Sequence, residues 1–267
     1  MRSSAFTVTE VIVVIAIIAL LMALSLPVSH SVQQHARTTA CRANINNLLI
    51  ALGTYDMENG TLPHGFVLGR RPPPPPGYPG HPAFDGPGWY WFNYLQTLTD
   101  ETDRAPRILQ CPAKNLQNAW LQRDILCGNY GINRSISRSD KDQAKYREAF
   151  GGPPLSTANI RRPGSTLLLV DSGYALTCWW QARDDPLMDH KGPTLEDTGY
   201  IPGMTINKER ILEPGQYDDA ILGRHLNERV NVGYVDGHAQ PQTADDLLVE
   251  KTGEEQYSNR TPLWEVK

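Results

Sequence analysis

The residues of this 267-residue chain with the means to do chemistry are few and scattered. His225, Asp236 and His238 bracket one hairpin pattern, and two imidazoles with a carboxylate form a donor set for a divalent transition metal. Asp184, Asp185, Asp189, His190, Asp218 and Asp219 crowd an irregular stretch with oxygen ligands of the kind calcium takes. For both groups the plainer account is a turn aspartate and solvent-facing polar side chains. Four cysteines, Cys41, Cys111, Cys127 and Cys178, follow no CxxC or Cys/His metal spacing. If the body lies outside the cytoplasm, Cys111 with Cys127 is the favoured disulfide; the alternative is free buried thiols. No nucleophile elbow, HExxH, phosphate-cradling loop or dinucleotide fingerprint occurs, so the expectation is a non-enzyme without cofactor, a bound metal aside.

Bulk properties narrow the class. A net charge of -4 and a pI near 6.0, with basic residues only in short pairs such as Arg70-Arg71 and Arg161-Arg162, give no footprint for nucleic acid. Mean hydropathy of -0.41 excludes a polytopic membrane protein. The apolar residues gather near the start, where Val11 to Leu26 is broken only by Ser25. As a helix, residues 11–28 would rise about 27 Å, close to one bilayer core. One transmembrane helix over residues 6–28 is therefore expected. Beyond it, Cys41, Ile45, Leu48, Leu52 and Tyr55 recur at alternating spacings of four and three, one apolar stripe on a helix over 29–60. Asn59-Gly60 followed by Pro63 ends that helix, and its stripe needs a sheet to pack on.

Residues 61–267 read as a loop-rich globular domain. Its Pro-rich stretch 70–88 suits a stiff surface loop, since proline lacks the amide and fixes φ. Trp89 to Leu95 reads as a short helix with an aromatic face, for the core or for stacking on a sugar. Strands are expected at Ile125 to Ile132, Ser165 to Val170 and Tyr174 to Trp180, and a hairpin at Val230 to Gln240 turned by Asp236-Gly237. Thr243 to Glu250 reads as a short capped helix, and 181–220 as an irregular excursion.

The first residues carry a more specific pattern. Arg2-Ser3-Ser4-Ala5-Phe6-Thr7-Val8-Thr9-Glu10 precedes the apolar run directly, and Pro27 stands 21 residues beyond Phe6. This start resembles the signal of type IV prepilins, in which a peptidase cuts a short basic leader before a Phe and methylates the new amine. The resemblance implies a leader 1–5, cleavage between Ala5 and Phe6 (Ala5 standing where the family has Gly), assembly through Glu10 and a helix kink at Pro27. Thr7 and Glu10 also form a capping box, which by itself accounts for an acid at a helix start. Charge counting points the other way on topology, because Arg37 and Arg42 beyond the run outnumber Arg2 before it.

Further motifs extend the likeness. Cys41-Arg-Ala-Asn44, Leu48, Tyr55 and Gly60-Thr-Leu-Pro63 are followed by Leu109-Gln-Cys111-Pro112, Asn129-Tyr130-Gly131-Ile-Asn133 and Pro163-Gly-Ser-Thr166 leading to Asp171. Arg224-His225 and Val235-Asp236-Gly237-His238 complete the set, with ten residues between His225 and Asp236. Together they resemble a large-domain bacterial pilin-like family. The resemblance implies an α+β, pilin-like fold: a long N-terminal helix, transmembrane in its first half, packed on an antiparallel β-sheet with large irregular loops. It implies a subunit or minor component of a type IV pilus or type II secretion pseudopilus, placed as a single-pass protein of the inner membrane with the C-terminal domain outside the cytoplasm. The prepilin peptidase, other pilin or pseudopilin subunits and the membrane would be its partners. The alternative is a membrane-anchored binding module displaying a glycan- or protein-binding face, for which an exposed patch at Trp89, Trp91, Trp179 and Trp180 would speak.

Overall fold

The structure, a computed structural model, describes residues 7–68, 88–95, 107–139, 150–184, 199–253, 257–259 and 264, without the side chains of 24–30, 68 and 259. Helix α1 runs over Val8–Asn59. Thr7 caps its start, accepting from the Glu10 amide, while the Glu10 carboxylate accepts from the Thr7 amide at 2.8 Å. Gly60 ends it at φ 75°, a left-handed conformation that glycine adopts without steric cost, and its amide donates to Asp56 O at 2.8 Å. Asp56, itself buried, fastens this end to the body by accepting from Thr157 N at 3.0 Å and Ser156 Oγ at 3.2 Å.

Strands β1 (Phe66–Leu68) and β2 (Gly88–Tyr90) form a two-stranded ribbon. A short helix α2 (Ala119–Arg123) precedes β3 (Tyr130–Asn133), β4 (Leu167–Asp171) and β5 (Leu176–Thr177). After α3 (Tyr217–Leu222) come β6 (Arg229–Tyr234), β7 (Ala239–Thr243), β8 (Val249–Lys251) and β9 (Tyr257–Asn259). The main sheet has the order β5-β3-β4-β6-β7, and β8 pairs with β9.

The expected antiparallel sheet is mixed. β5 runs parallel to β3, while the other neighbours are antiparallel. The link after β4 causes this: it wraps the start of β3, with Ser172 N donating to Asn129 O and Gly128 N to Gly173 O, and returns along the far edge of β3. Gly131 permits the wrap, since a Cβ there would lie 2.8 Å from Ser172 Cβ and from Tyr174 O.

α1 lies across β6, β7 and β4. Cys41, Ile45, Leu48 and Leu52 are fully buried and Tyr55 partly so, as the stripe predicts. The approach is close at Gly233, where a Cβ would come within 2.7 Å of Ile45 Cγ2 and 3.0 Å of Leu49 Cδ1. Along β6 the faces alternate: Val230, Val232 and Tyr234 join a second core with Leu167, Val170, Met204 and Trp264, while Gly233 meets α1.

Other expectations need correction. Among the described residues no helix is long and apolar enough to cross a membrane. That overturns the transmembrane segment 6–28, the pilin-like fold class built on it, and the single-pass inner-membrane placement. Trp89–Leu95 is half strand: β2 takes Trp89 and Tyr90, and a 3₁₀ turn follows over Trp91–Tyr94. Thr243–Glu250 is likewise a 3₁₀ turn, Ala244–Leu247, leading into β8. Residues 70–87 of the Pro-rich stretch, and Ala5 and Phe6 of the cleavage motif, lie outside the described residues.

Candidate metal centre

Four segments distant in sequence meet under α1. Cys41 is the first residue of the buried stripe. Cys111 follows the 3₁₀ turn Arg107–Leu109, with its amide donating to Asn129 Oδ1 at 3.0 Å. Asp171 ends β4, and His225 precedes the 3₁₀ turn Leu226–Glu228 that leads into β6. One ligand atom from each of these residues lies within 4.8 Å of all the others, and all four residues are buried.

The contacts inside the cluster are short. Cys41 Sγ is 3.2 Å from Cys111 Sγ and donates to Asp171 Oδ1 at 3.0 Å. His225 Nε2 is 3.0 Å from Asp171 Oδ2. Asn231 of β6 donates to the same oxygen from its main-chain amide at 2.7 Å and from Nδ2 at 3.1 Å. Nδ2 also lies 3.1 Å from His225 Nε2. Thr38, one turn before Cys41, donates its hydroxyl to Gln34 O at 2.9 Å and presents the oxygen to His225 Nδ1 at 3.1 Å.

Electrostatics follow from burial and mutual charge. Burial disfavours the His225 imidazolium, but the Asp171 carboxylate beside it outweighs this and pushes its pKa up to about 10. Burial raises the Asp171 carboxyl, and the charge and hydrogen bond of His225 more than reverse it, so it lies below the usual range. Burial raises both thiols as well. Cys41 goes well above the usual thiol value, with Cys111 and Asp171 adding to the rise, whereas the contact with Cys41 lowers Cys111 to about 6. Two thiols, a carboxylate and an imidazole converging in one buried place are the donors of a zinc-class site.

The expected sites fare unevenly. His225 is here, but Asp236 and His238 are not with it: they pair with each other at the exposed turn between β6 and β7. Asp219 is bound by Arg224 in a buried ion pair at 2.7 Å and accepts from Tyr200 at 2.6 Å. Asp218 accepts from Gln117, and Asp184 from the Lys251 amide. Asp185, Asp189 and His190 lie outside the described residues. Cys111 sits against Cys41 rather than in the expected bridge with Cys127, and all four cysteines are free thiols. Glu10 is engaged in its own cap, and α1 runs through Pro27. Cys41 and Asp171 were not singled out as ligands. The available signal was that Cys41, Cys111, Asp171 and His225 each stand in one of the motifs quoted above.

No protein-family model, curated protein or solved structure matches the chain.

Proposed function

We propose that the chain is a structural subunit of a filament-type assembly, of the type IV pilus or type II secretion pseudopilus kind, built through the first half of α1. The observation that carries this reading is the exposure of that half-helix: Val8 and the large apolar side chains from Val11 to Met22 are 45–76% exposed. A helix that is apolar all round is stable in water only when other chains cover it. Like half-helices of neighbouring subunits are the occupants that match in length and chemistry. The resemblance of the first thirty residues to prepilins supports the same reading, with the prepilin peptidase and other subunits as partners. The alternative of a displayed binding face draws little support, because Trp91 is buried and Trp89, Trp179 and Trp180 are half-buried rather than exposed.

Sedimentation and electron microscopy of the full chain test this. The expected result is discrete oligomers or filaments, lost in an Ile12→Asp/Ile15→Asp double variant whose body melts unchanged. A full chain that stays monomeric at every concentration, or a double variant that assembles as well as the parent, would refute it.

A further inference from the structure

We infer that Cys41, Cys111, Asp171 and His225 bind one thiophilic divalent cation of the zinc class, which clamps α1 to the sheet. The donor set is that of a tetrahedral site, and burial of all four residues gives it the closed character of a structural one. Three neighbours orient the ligands from behind. Thr38 spends its own hydrogen on Gln34 O, so it accepts from His225 Nδ1 and leaves Nε2 as the ligand nitrogen. Asn231 fixes the carboxylate with two donors, and Asn129 holds the Cys111 amide.

His225 Nε2 carries the argument furthest. It sits 3.1 Å from the amide nitrogen of Asn231, a donor, and 3.0 Å from Asp171 Oδ2, an acceptor. A proton on Nε2 opposes the first neighbour and a bare lone pair opposes the second. A cation bound by both Nε2 and the carboxylate removes the conflict, leaving Asn231 to donate to Asp171. Metal–ligand bonds of about 2.0 Å to N or O and about 2.3 Å to S imply tetrahedral edges of about 3.3 to 3.8 Å. The three contacts of 3.0 to 3.2 Å need to open by roughly half an ångström, and the remaining pairs, within 4.8 Å of one another, need to draw in toward the same edges.

The cation would join α1, the Cys111 loop, the end of β4 and the segment before β6. None of these is in the exposed half-helix, so the inference stands apart from the proposed assembly.

The test uses the full chain, purified under reducing conditions, stripped with a chelator and titrated with cobalt(II). One equivalent should produce the near-ultraviolet thiolate-to-cobalt band and the visible bands of a tetrahedral centre, and zinc(II) should displace it. Cys111→Ser should weaken cobalt binding and reduce the thiolate band to the share of Cys41, and Cys127→Ala should retain it in full. Thr38→Val keeps all four ligands and should weaken cobalt binding by about 10–100-fold, as loss of an orienting partner does. A folded, reduced parent chain that gives no thiolate band overturns the inference. So does a chain isolated metal-free with Cys41 and Cys111 cross-linked, or equal cobalt affinity in parent and Cys111→Ser.

Discussion

The two halves of α1 share one backbone and meet opposite surroundings. Val11 to Met22 is apolar on every side and exposed, whereas the second half buries Cys41, Ile45, Leu48, Leu49 and Leu52 along one face and leaves Ile50 in solvent. Arg42, Asn47 and Thr54 complete the polar back of the second half. The difference teaches that apolar content alone does not dock a helix on a domain. The second half docks because its stripe matches a sheet whose strand β6 offers Gly233, while nothing in the described body matches a helix that is apolar all round.

The largest effects should divide along this line. Leu48→Ala or Leu52→Ala removes a fully buried side chain and should cost about 2–5 kcal/mol in thermal or denaturant melts. Ile15→Ala, on a side chain 59% exposed, should stay within about 0.5 kcal/mol in unassembled protein. Equal, small losses at all three would mean the stripe does not pack. Gly233→Ala comes next, since its Cβ enters the space of Ile45 and Leu49; overpacking of about 1–3 kcal/mol is expected, with Gly53→Ala, which meets nothing within 4 Å, as the control. If both alanines behave alike, the helix does not lie on β6 as described.

The same contrast marks what the sequence made legible. The stripe from Cys41 to Tyr55, the stop at Gly60 and the hairpin over β6 and β7 were readable because helical period, left-handed glycine and Asp-Gly turn are local signals. The parallel course of β5 was not, because it depends on a four-residue link whose path is set by its tertiary bonds to Asn129 and Gly128. The membrane reading did not hold among the described residues, where no helix is both long and apolar enough to cross a bilayer. The cluster escaped for a different reason. Cysteine arithmetic looks for close spacing, and Cys41 and Cys111 become neighbours only when α1 folds over β4. His225 was noticed, but with Asp236 and His238, its neighbours in sequence rather than in space.

Charge repeats the comparison at lower cost. Lys114, in the loop after Cys111, has its pKa pushed down to about 8 chiefly by burial, with Arg224 opposing its charge as well. Its Nζ donates to Asp124 O at 2.8 Å. Between about pH 8 and the ordinary lysine value the unfolded chain binds this proton and the folded one does not, so stability gains from Lys114 as pH rises through that window. Lys114→Met should flatten that part of a pH–stability profile. An unchanged profile would mean the ammonium is solvated when folded.

Glu10, at the exposed end, should matter least to the fold and most to assembly. Its pKa is lowered by the Thr7 amide and then the Thr7 hydroxyl, so its carboxylate is set by the cap and not by burial. Sign follows: the cap's contribution is present above the usual glutamate value and fades as pH falls through the lowered one, which affects the first turn alone. Glutamine also closes a capping box, so Glu10→Gln keeps the helix start and removes the charge, whereas Glu10→Ala removes both. If a neighbouring subunit supplies a cation to Glu10, both variants should fail to assemble while circular dichroism and body melting stay as in the parent. If Glu10→Gln assembles normally and only Glu10→Ala is impaired, the residue works as a cap, and assembly rests on the apolar side chains from Val11 to Met22.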